Sequence, residues 1–196
     1  ISAIISFILG IICTRKKPQN RSFYAKEGFM TVALGWIVFS ISGALPFIIS
    51  GEIPDVFNAL FETISGYTTT GATILSDVES LSKSLLFWRS FTHWIGGMGV
   101  LVFILSILPL AGGNNMHLMR AESPGPSVGK LVPRVRSTAM ILYGIYAALT
   151  VLECILLLLG GMSAFDAINT SLATAGTGGF GIRNTSMAEY SVYIQN

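Results

Sequence analysis

Long apolar runs alternate with short, glycine-rich polar stretches along this chain. Residues 29–50 form a run without one charge. As a helix rising about 1.5 Å per residue, that run reaches about 33 Å, enough to cross a hydrocarbon core of about 30 Å. Residues 85–110 form a second run, broken only by Arg89 and His93, and residues 138–160 a third, broken only by Glu153. Residues 1–14 are apolar but too short to span alone, and read as the end of a helix that begins elsewhere. Three runs of bilayer length predict helices in a membrane rather than core helices of a soluble domain.

Two stretches between the runs have another character. Residues 54–66 read as a half-length helix, with Pro54 suited to a first turn and Asp55 near the positive helix end. Thr68, Thr69, Thr70, Gly71, Ala72 and Thr73 follow, a β-branched and glycine-containing stretch that favours extended backbone. Residues 163–174 repeat the pattern, with Ser163 as N-cap and Asp166 in the first turn. They lead into Ala175, Gly176, Thr177, Gly178, Gly179, Phe180 and Gly181. A shift of 108 positions lays Phe57 on Phe165, Ala59 on Ala167, Thr69 on Thr177 and Gly71 on Gly179. The same shift superposes the preceding apolar runs, and internal repeats recur in membrane transport folds. The predicted fold is an all-α integral membrane protein of repeated span–pore helix–span units with re-entrant filter loops.

Composition and charge sharpen this picture. Charged residues make up only 11% of the chain and hydrophobic ones 52%. So few charges cannot cover the surface of a soluble enzyme, and disordered chains are charge-rich rather than charge-poor. A net charge of +2 is too small to point to nucleic acid. Cys13 and Cys154 both lie inside apolar runs and read as small buried hydrophobes, without metal-ligand spacing. Basic residues follow the first run (Arg15, Lys16, Lys17, Arg21, Lys26) and the run ending at Leu110 (Arg120, Lys130, Arg134, Arg136), so those loops are expected on the cytoplasmic side. Residues 51–84 carry Glu52, Asp55, Glu62, Asp77 and Glu79 against Lys83 alone, and are expected outside. The opening at Ile1, inside an apolar run and without a Met start, predicts a piece of a longer protein.

The candidate chemistry lies in the two glycine loops. Irregular backbone at membrane depth is tolerated where protein or a water-filled cavity satisfies its polar groups. A ring of backbone carbonyls can then replace the hydration shell of a cation. A central glycine permits the angles that aim consecutive carbonyls inward, and a threonine hydroxyl adds an oxygen. The plain alternative is a turn between helices. The candidate K+ filter residues are Thr68, Thr69, Thr70, Gly71 and Ala72, with Gly176, Thr177, Gly178, Gly179 and Phe180. Arg89 is expected to pair with Glu153 or with Glu62 behind the filter, the alternative being that each charge reaches the interface by snorkelling. His93 reads as a polar packing contact between helices, and Gly96, Gly97 and Gly99 as a close helix approach. Ser65, Gly66 and His93 are similar to parts of a rhomboid protease motif. That motif needs Gly-x-Ser-Gly, and Thr63 occupies its first position, so no enzyme is expected.

One ordered set of residues resembles a known family. Thr68 to Thr73, then Trp88-Arg89-Ser90, then Trp94-Ile95-Gly96-Gly97-Met98-Gly99 resemble the TrkH branch of the Trk/Ktr/HKT potassium-transporter superfamily. Ile107-Leu108-Pro109, the loop Met119-Arg120-Ala121-Glu122-Ser123-Pro124-Gly125-Pro126, and the second pore segment with Phe165-Asp166-Ala167-Ile168 and Gly178-Gly179-Phe180 extend the resemblance over nearly the whole chain. The resemblance implies four fused span–pore–span units around one pore, preceded by an extra helix pair. Residues 1–14 would end that pair, residues 15–27 form a basic cytoplasmic loop, residues 28–110 the first unit, residues 111–135 a second cytoplasmic loop, and residues 136–196 the second unit, cut before its closing span. It implies K+ transport across the plasma (inner) membrane, with K+ as the transported ion, no other metal and no organic cofactor. It further implies a homodimer in membrane lipid and a cytosolic nucleotide-binding regulatory subunit of TrkA type, with no nucleic acid. A non-conducting or regulatory subunit of the same fold, and an HKT-like carrier of sodium and potassium, are the alternatives. Gly71, where some sodium-carrying relatives have serine, favours potassium.

Overall fold

The structure is a computed structural model that describes residues 11, 25–99 and 135–195. The expected helix end at 1–14 and the loops 15–27 and 111–135 lie outside the described residues, save Ile11, residues 25–27 and Val135. Among the described residues the fold is helical, with no strand. The helices are α1 (Ala25–Ser50), α2 (Val56–Tyr67), α3 (Lys83–Gly97), α4 (Val135–Leu159), α5 (Ala164–Ala175) and a single turn α6 (Val192–Gln195).

Helices α1 and α4 are long and apolar enough to cross a membrane, over Ala33–Ser50 and Ala139–Leu159. Their apolar side chains largely face outward. Leu34, Ile37, Val38 and Ile41 on α1, and Ile145, Leu149, Leu152 and Ile155 on α4, are exposed. A soluble monomer does not leave contiguous apolar faces of this kind in water. Pro46 sits inside α1 and removes one rung of its hydrogen-bond ladder. The indole of Trp88 on α3 donates to the nearby Gly43 carbonyl at 2.9 Å.

The two short helices are capped as local chemistry dictates. Asp55 is the N-cap of α2, its carboxylate accepting from the Asn58 N–H at 2.8 Å. Pro54 therefore precedes the helix instead of opening its first turn, a correction to the reading from sequence. The acidic cap satisfies an orphan N–H, which proline cannot do. Ser163 caps α5 and accepts from the Asp166 N–H at 3.2 Å.

Helix α1 packs on α2, and α4 packs on α5 in the same way. Helix α3 lies between the two short helices, against both α2 and α5. A core of Ala44, Phe47, Ile53, Ala59, Leu81, Leu85 and Leu86 joins α1, α2 and α3, and Ile182 enters it from beyond the second glycine loop. A smaller cluster of Leu157, Met162 and Ala167 joins α4 to α5.

Glycines set how closely these helices approach. A Cβ on Gly43 of α1 would come within 2.7 Å of Thr63 Cγ2 and of the Tyr67 ring on α2. A Cβ on Gly96 of α3 would strike the Tyr67 carbonyl, and one on Gly97 would come within 2.5 Å of Gly176 Cα. Helix α3 ends at Gly97; the sequence predicts a run continuing to 110, of which residues 100–110 lie outside the described residues. Gly99 follows at φ +68°, and its N–H bonds back to Gly96 at 2.9 Å, so the chain leaves the helix there. Backbone against backbone leaves no room for relaxation. Gly96→Ala is therefore expected to cost about 1–3 kcal/mol of stability, the usual range for overpacking. A thermal midpoint of the purified protein that does not fall would show that α3 and α2 are not in contact at this point.

Candidate functional site

Each short helix ends in the same hydrogen-bonded turn. At the end of α2, Thr68 N–H donates to Ile64, Thr69 N–H to Gly66 and Thr70 N–H to Ser65, at 2.8, 3.1 and 3.0 Å. At the end of α5, Gly176 N–H donates to Leu172, Thr177 N–H to Thr174 and Gly178 N–H to Ala173, at 3.2, 2.8 and 3.1 Å. Every bond in one set is the other displaced by the sequence repeat. The last two bonds of each set form a Schellman cap, whose C′ residue takes the left-handed conformation and is usually glycine. Here it is threonine in both loops, Thr69 at φ +55° and Thr177 at φ +56°. A β-branched residue at positive φ is a genuine outlier, costing on the order of 1–3 kcal/mol. Two residues further on, Gly71 and Gly179 also take positive φ, +74° and +78°.

The loops meet each other. A Cβ on Gly71 would collide with the carbonyl oxygen of Gly178. Gly179, by contrast, faces open space among the described residues. In the first loop Thr68, Thr70 and Ala72 are exposed, Thr69 and Gly71 half-buried; the Thr68 and Thr70 hydroxyls share a hydrogen bond at 2.8 Å. In the second loop Thr177 and Gly179 are exposed, whereas Gly176, Gly178 and Phe180 are buried. The Phe180 ring turns back into the protein, with the Arg89 guanidinium carbon 4.1 Å from its centroid and the His93 ring 4.0 Å away. Of this residue only the backbone is left to the loop surface.

Behind the loops lies a buried ion pair. Arg89 Nε donates to Glu62 Oε1 at 2.7 Å, with both side chains almost fully buried. The Glu62 carboxylate also accepts from the Thr73 hydroxyl at 2.8 Å and from the Ile74 N–H at 3.1 Å. Arg89 reaches further, to the Thr73 hydroxyl at 3.3 Å and to the Gly181 carbonyl at 3.1 Å. One pair thus ties α2, α3 and the segments that follow both loops. Of the two partners open to Arg89 in the sequence, the structure pairs it with Glu62. Glu153 lies half-buried on α4 and turns its carboxylate to Thr174 on α5.

The segments beyond the two loops are joined separately. Asn184 accepts from the Val78 N–H and donates to Asp77, both at 2.8 Å, and its own N–H reaches Glu79 at 3.1 Å. Asp166 accepts from the Tyr190 hydroxyl at 2.9 Å and from Arg183 at 3.4 Å. Burial, reinforced by the bond to Asp166, pushes the Tyr190 phenol above its ordinary pKa. Asn184 and Tyr190 carry no motif, and nothing in the sequence separates them from other polar residues.

His93 lies where α3 meets α2 and the second loop. It is fully buried, yet neither ring nitrogen makes a hydrogen bond. Its ring packs on Phe180 and on the Gly178 backbone and faces the Ser65 carbonyl of the neighbouring helix α2. Trp94, the next residue, donates its indole N–H to Thr150 on α4 at 3.0 Å.

Paired half-helices that end in glycine loops, flanked by membrane-length helices, define a class, the integral membrane proteins built of span–pore helix units. The comparisons agree with that class: the family model matching residues 1–195 is described as a cation transport protein. The chain belongs to the TrkH family. It is 42% identical over 183 residues to the Trk system potassium uptake protein TrkH of Vibrio parahaemolyticus, covering 92% of this chain and 38% of that protein. It is 46% identical over 177 residues to the protein of the same name in Escherichia coli K12, covering 89% of this chain and 36% of the relative. The crystal structure of the potassium transporter TrkH from Vibrio parahaemolyticus matches with a TM-score of 0.74 at 34% identity, covering 97% of this chain and 39% of that one. The chain thus spans a little over a third of the length of these relatives.

Proposed function

We propose that this chain supplies two of the filter loops of a potassium uptake protein and that K+ is the ion it carries. The observation that carries the reading is the repeated backbone of the loops. Left-handed residues at 69 and 71, and again at 177 and 179, alternate with residues of ordinary φ. Alternation of this kind reverses successive peptide planes and lets their carbonyls line one edge, as a dehydrating ion requires. The names of the relatives, potassium uptake proteins, point to the same ion.

In this reading residues 28–110 are a span–pore–span unit in the cell membrane, residues 136–196 a second one cut before its closing span, and residues 1–14 the end of a preceding span. The filter loops face outside and residues 15–27 and 111–135 lie in the cytoplasm. The strained threonines support an ion site at each loop start. Glycine would occupy the left-handed position without strain, so threonine there points to a use for its hydroxyl. Potassium uptake "system" in the names of the relatives supports work with further components. A homodimer that docks a cytosolic nucleotide-binding subunit of TrkA type on its basic, glycine- and proline-rich loop fits that description.

The test is uptake of Rb+ and Na+ by potassium-uptake-deficient cells that express the complete protein to which this chain belongs. Selective Rb+ uptake is expected. A correctly inserted protein that carries neither ion overturns the reading in favour of a non-conducting subunit, and equal uptake favours an HKT-like carrier. Thr69→Gly separates strain from use in the same assay. It is expected to raise stability by about 1 kcal/mol, by relieving left-handed strain, while lowering the rate of Rb+ uptake. A variant that gains stability and keeps full uptake removes the hydroxyl from the mechanism.

A further inference from the structure

We infer that His93 is a positioning residue for the second filter loop: its buried ring holds the Gly178 carbonyl against Gly71. The inference rests on the loops being a filter, and adds to that reading what sets the spacing between them.

The two adjacent glycines of the second loop are there for different reasons. Gly179 takes φ +78° and faces open space, so its backbone conformation requires glycine. Gly178 is absent from the residues at positive φ, so no left-handed backbone requires glycine there. What excludes a side chain is His93, because a Cβ on Gly178 would collide with Cδ2, Nε2 and Cγ of the imidazole. The equivalent position in the first loop is Thr70, with a full side chain.

Gly178 is held from its other side too. Its carbonyl oxygen is the atom that a Cβ on Gly71 would strike. The order in space is therefore His93 ring, Gly178, Gly71, with no room for a methyl group at either contact. The ring itself cannot withdraw. Phe180 closes on it at 4.0 Å, and the His93 carbonyl is packed against Gly176, where a Cβ would collide with it. On the α2 side the ring faces the Ser65 carbonyl, which also receives the Thr70 N–H of the first loop at 3.0 Å. One side chain of α3 thus lies between the last turn of α2, which carries the first loop, and the main chain of the second loop. Close packing transmits displacements instead of absorbing them, so the size of this ring sets the position of a filter carbonyl.

The experiment is a double-mutant cycle in the complete protein, reading Rb+ over Na+ uptake per molecule in the membrane. Gly178→Ala is expected to lower the ratio about tenfold, the equivalent of ~1.4 kcal/mol of lost discrimination. His93→Ala should lower it by a similar factor, because the carbonyl loses its backing. Combining the two should restore most of the ratio, since the new methyl group enters the space the ring has left. Where His93→Ala does not accumulate in the membrane, His93→Ser takes its place in the cycle. A wild-type ratio in either single variant at normal abundance overturns the inference, and so does a double variant no better than Gly178→Ala. A wild-type protein that carries no Rb+ counts against the transport reading instead; the contact is then read from the same cycle in thermal midpoints, where additive losses overturn it.

Discussion

Gly71→Ser is expected to abolish most of the preference for Rb+ over Na+, and to do so more severely than Gly179→Ser. Two costs fall on position 71. A residue with a Cβ at φ +74° pays about 1–2 kcal/mol for the left-handed conformation. The same Cβ meets the Gly178 carbonyl oxygen, and overpacking of a rigid contact costs about 1–3 kcal/mol more. The loop relieves both by moving that carbonyl, the group proposed to replace water around the ion. Position 179 has only the backbone cost, since nothing described lies within reach of its Cβ. The expected ranking is wild type above Gly179→Ser above Gly71→Ser. Rb+ and Na+ uptake by the complete protein, normalised to its amount in the membrane, reads the ranking. Identical ratios in all three would mean that neither glycine holds filter backbone.

The second large effect concerns the buried pair. Glu62→Gln is expected to destabilise the protein by about 3–5 kcal/mol, the usual cost of stranding one member of a buried ion pair. Arg89→Met should cost less. A carboxylate left alone can take up a proton and become neutral, whereas a guanidinium cannot give one up. Glu62 would then still accept from Thr73 and Ile74. Changing both residues together should recover stability relative to Glu62→Gln, because no charge remains buried. Thermal midpoints of the purified proteins test the order. If Glu62→Gln melts with the wild type, the pair does not brace the two loops. Loss of selectivity is expected along with stability in Glu62→Gln, since Arg89 also holds the Gly181 carbonyl just beyond the second loop.

Some of this is legible in residue order alone. Helices α1 and α4 follow from apolar runs of bilayer length, and the cap of α5 from Ser163 and Asp166. The repeat relation between the loops can be read from Thr69 with Thr177 and Gly71 with Gly179, because local backbone chemistry obeys local sequence. The early end of α3 cannot be read. Its glycines are permissive in a helix, and the break at Gly97 depends on what α3 meets there. The role of His93 escapes the sequence for a related reason. A histidine on an apolar helix ordinarily finds a hydrogen-bond partner, and only the packing of Phe180 and Gly178 shows a ring used for its shape.

What the sequence determined by itself is the inventory of elements: the membrane-length helices α1 and α4, two capped half-helices, and two loops whose residues can adopt left-handed backbone. Those properties depend on neighbours a few positions away. Tertiary structure decided the partners. It chose Glu62 over Glu153 for Arg89, set the Gly178 carbonyl against Gly71, and wedged His93 between loops that are far apart in the chain. Pairings of this kind depend on which surfaces fit once the helices pack, and no spacing along the chain encodes that fit.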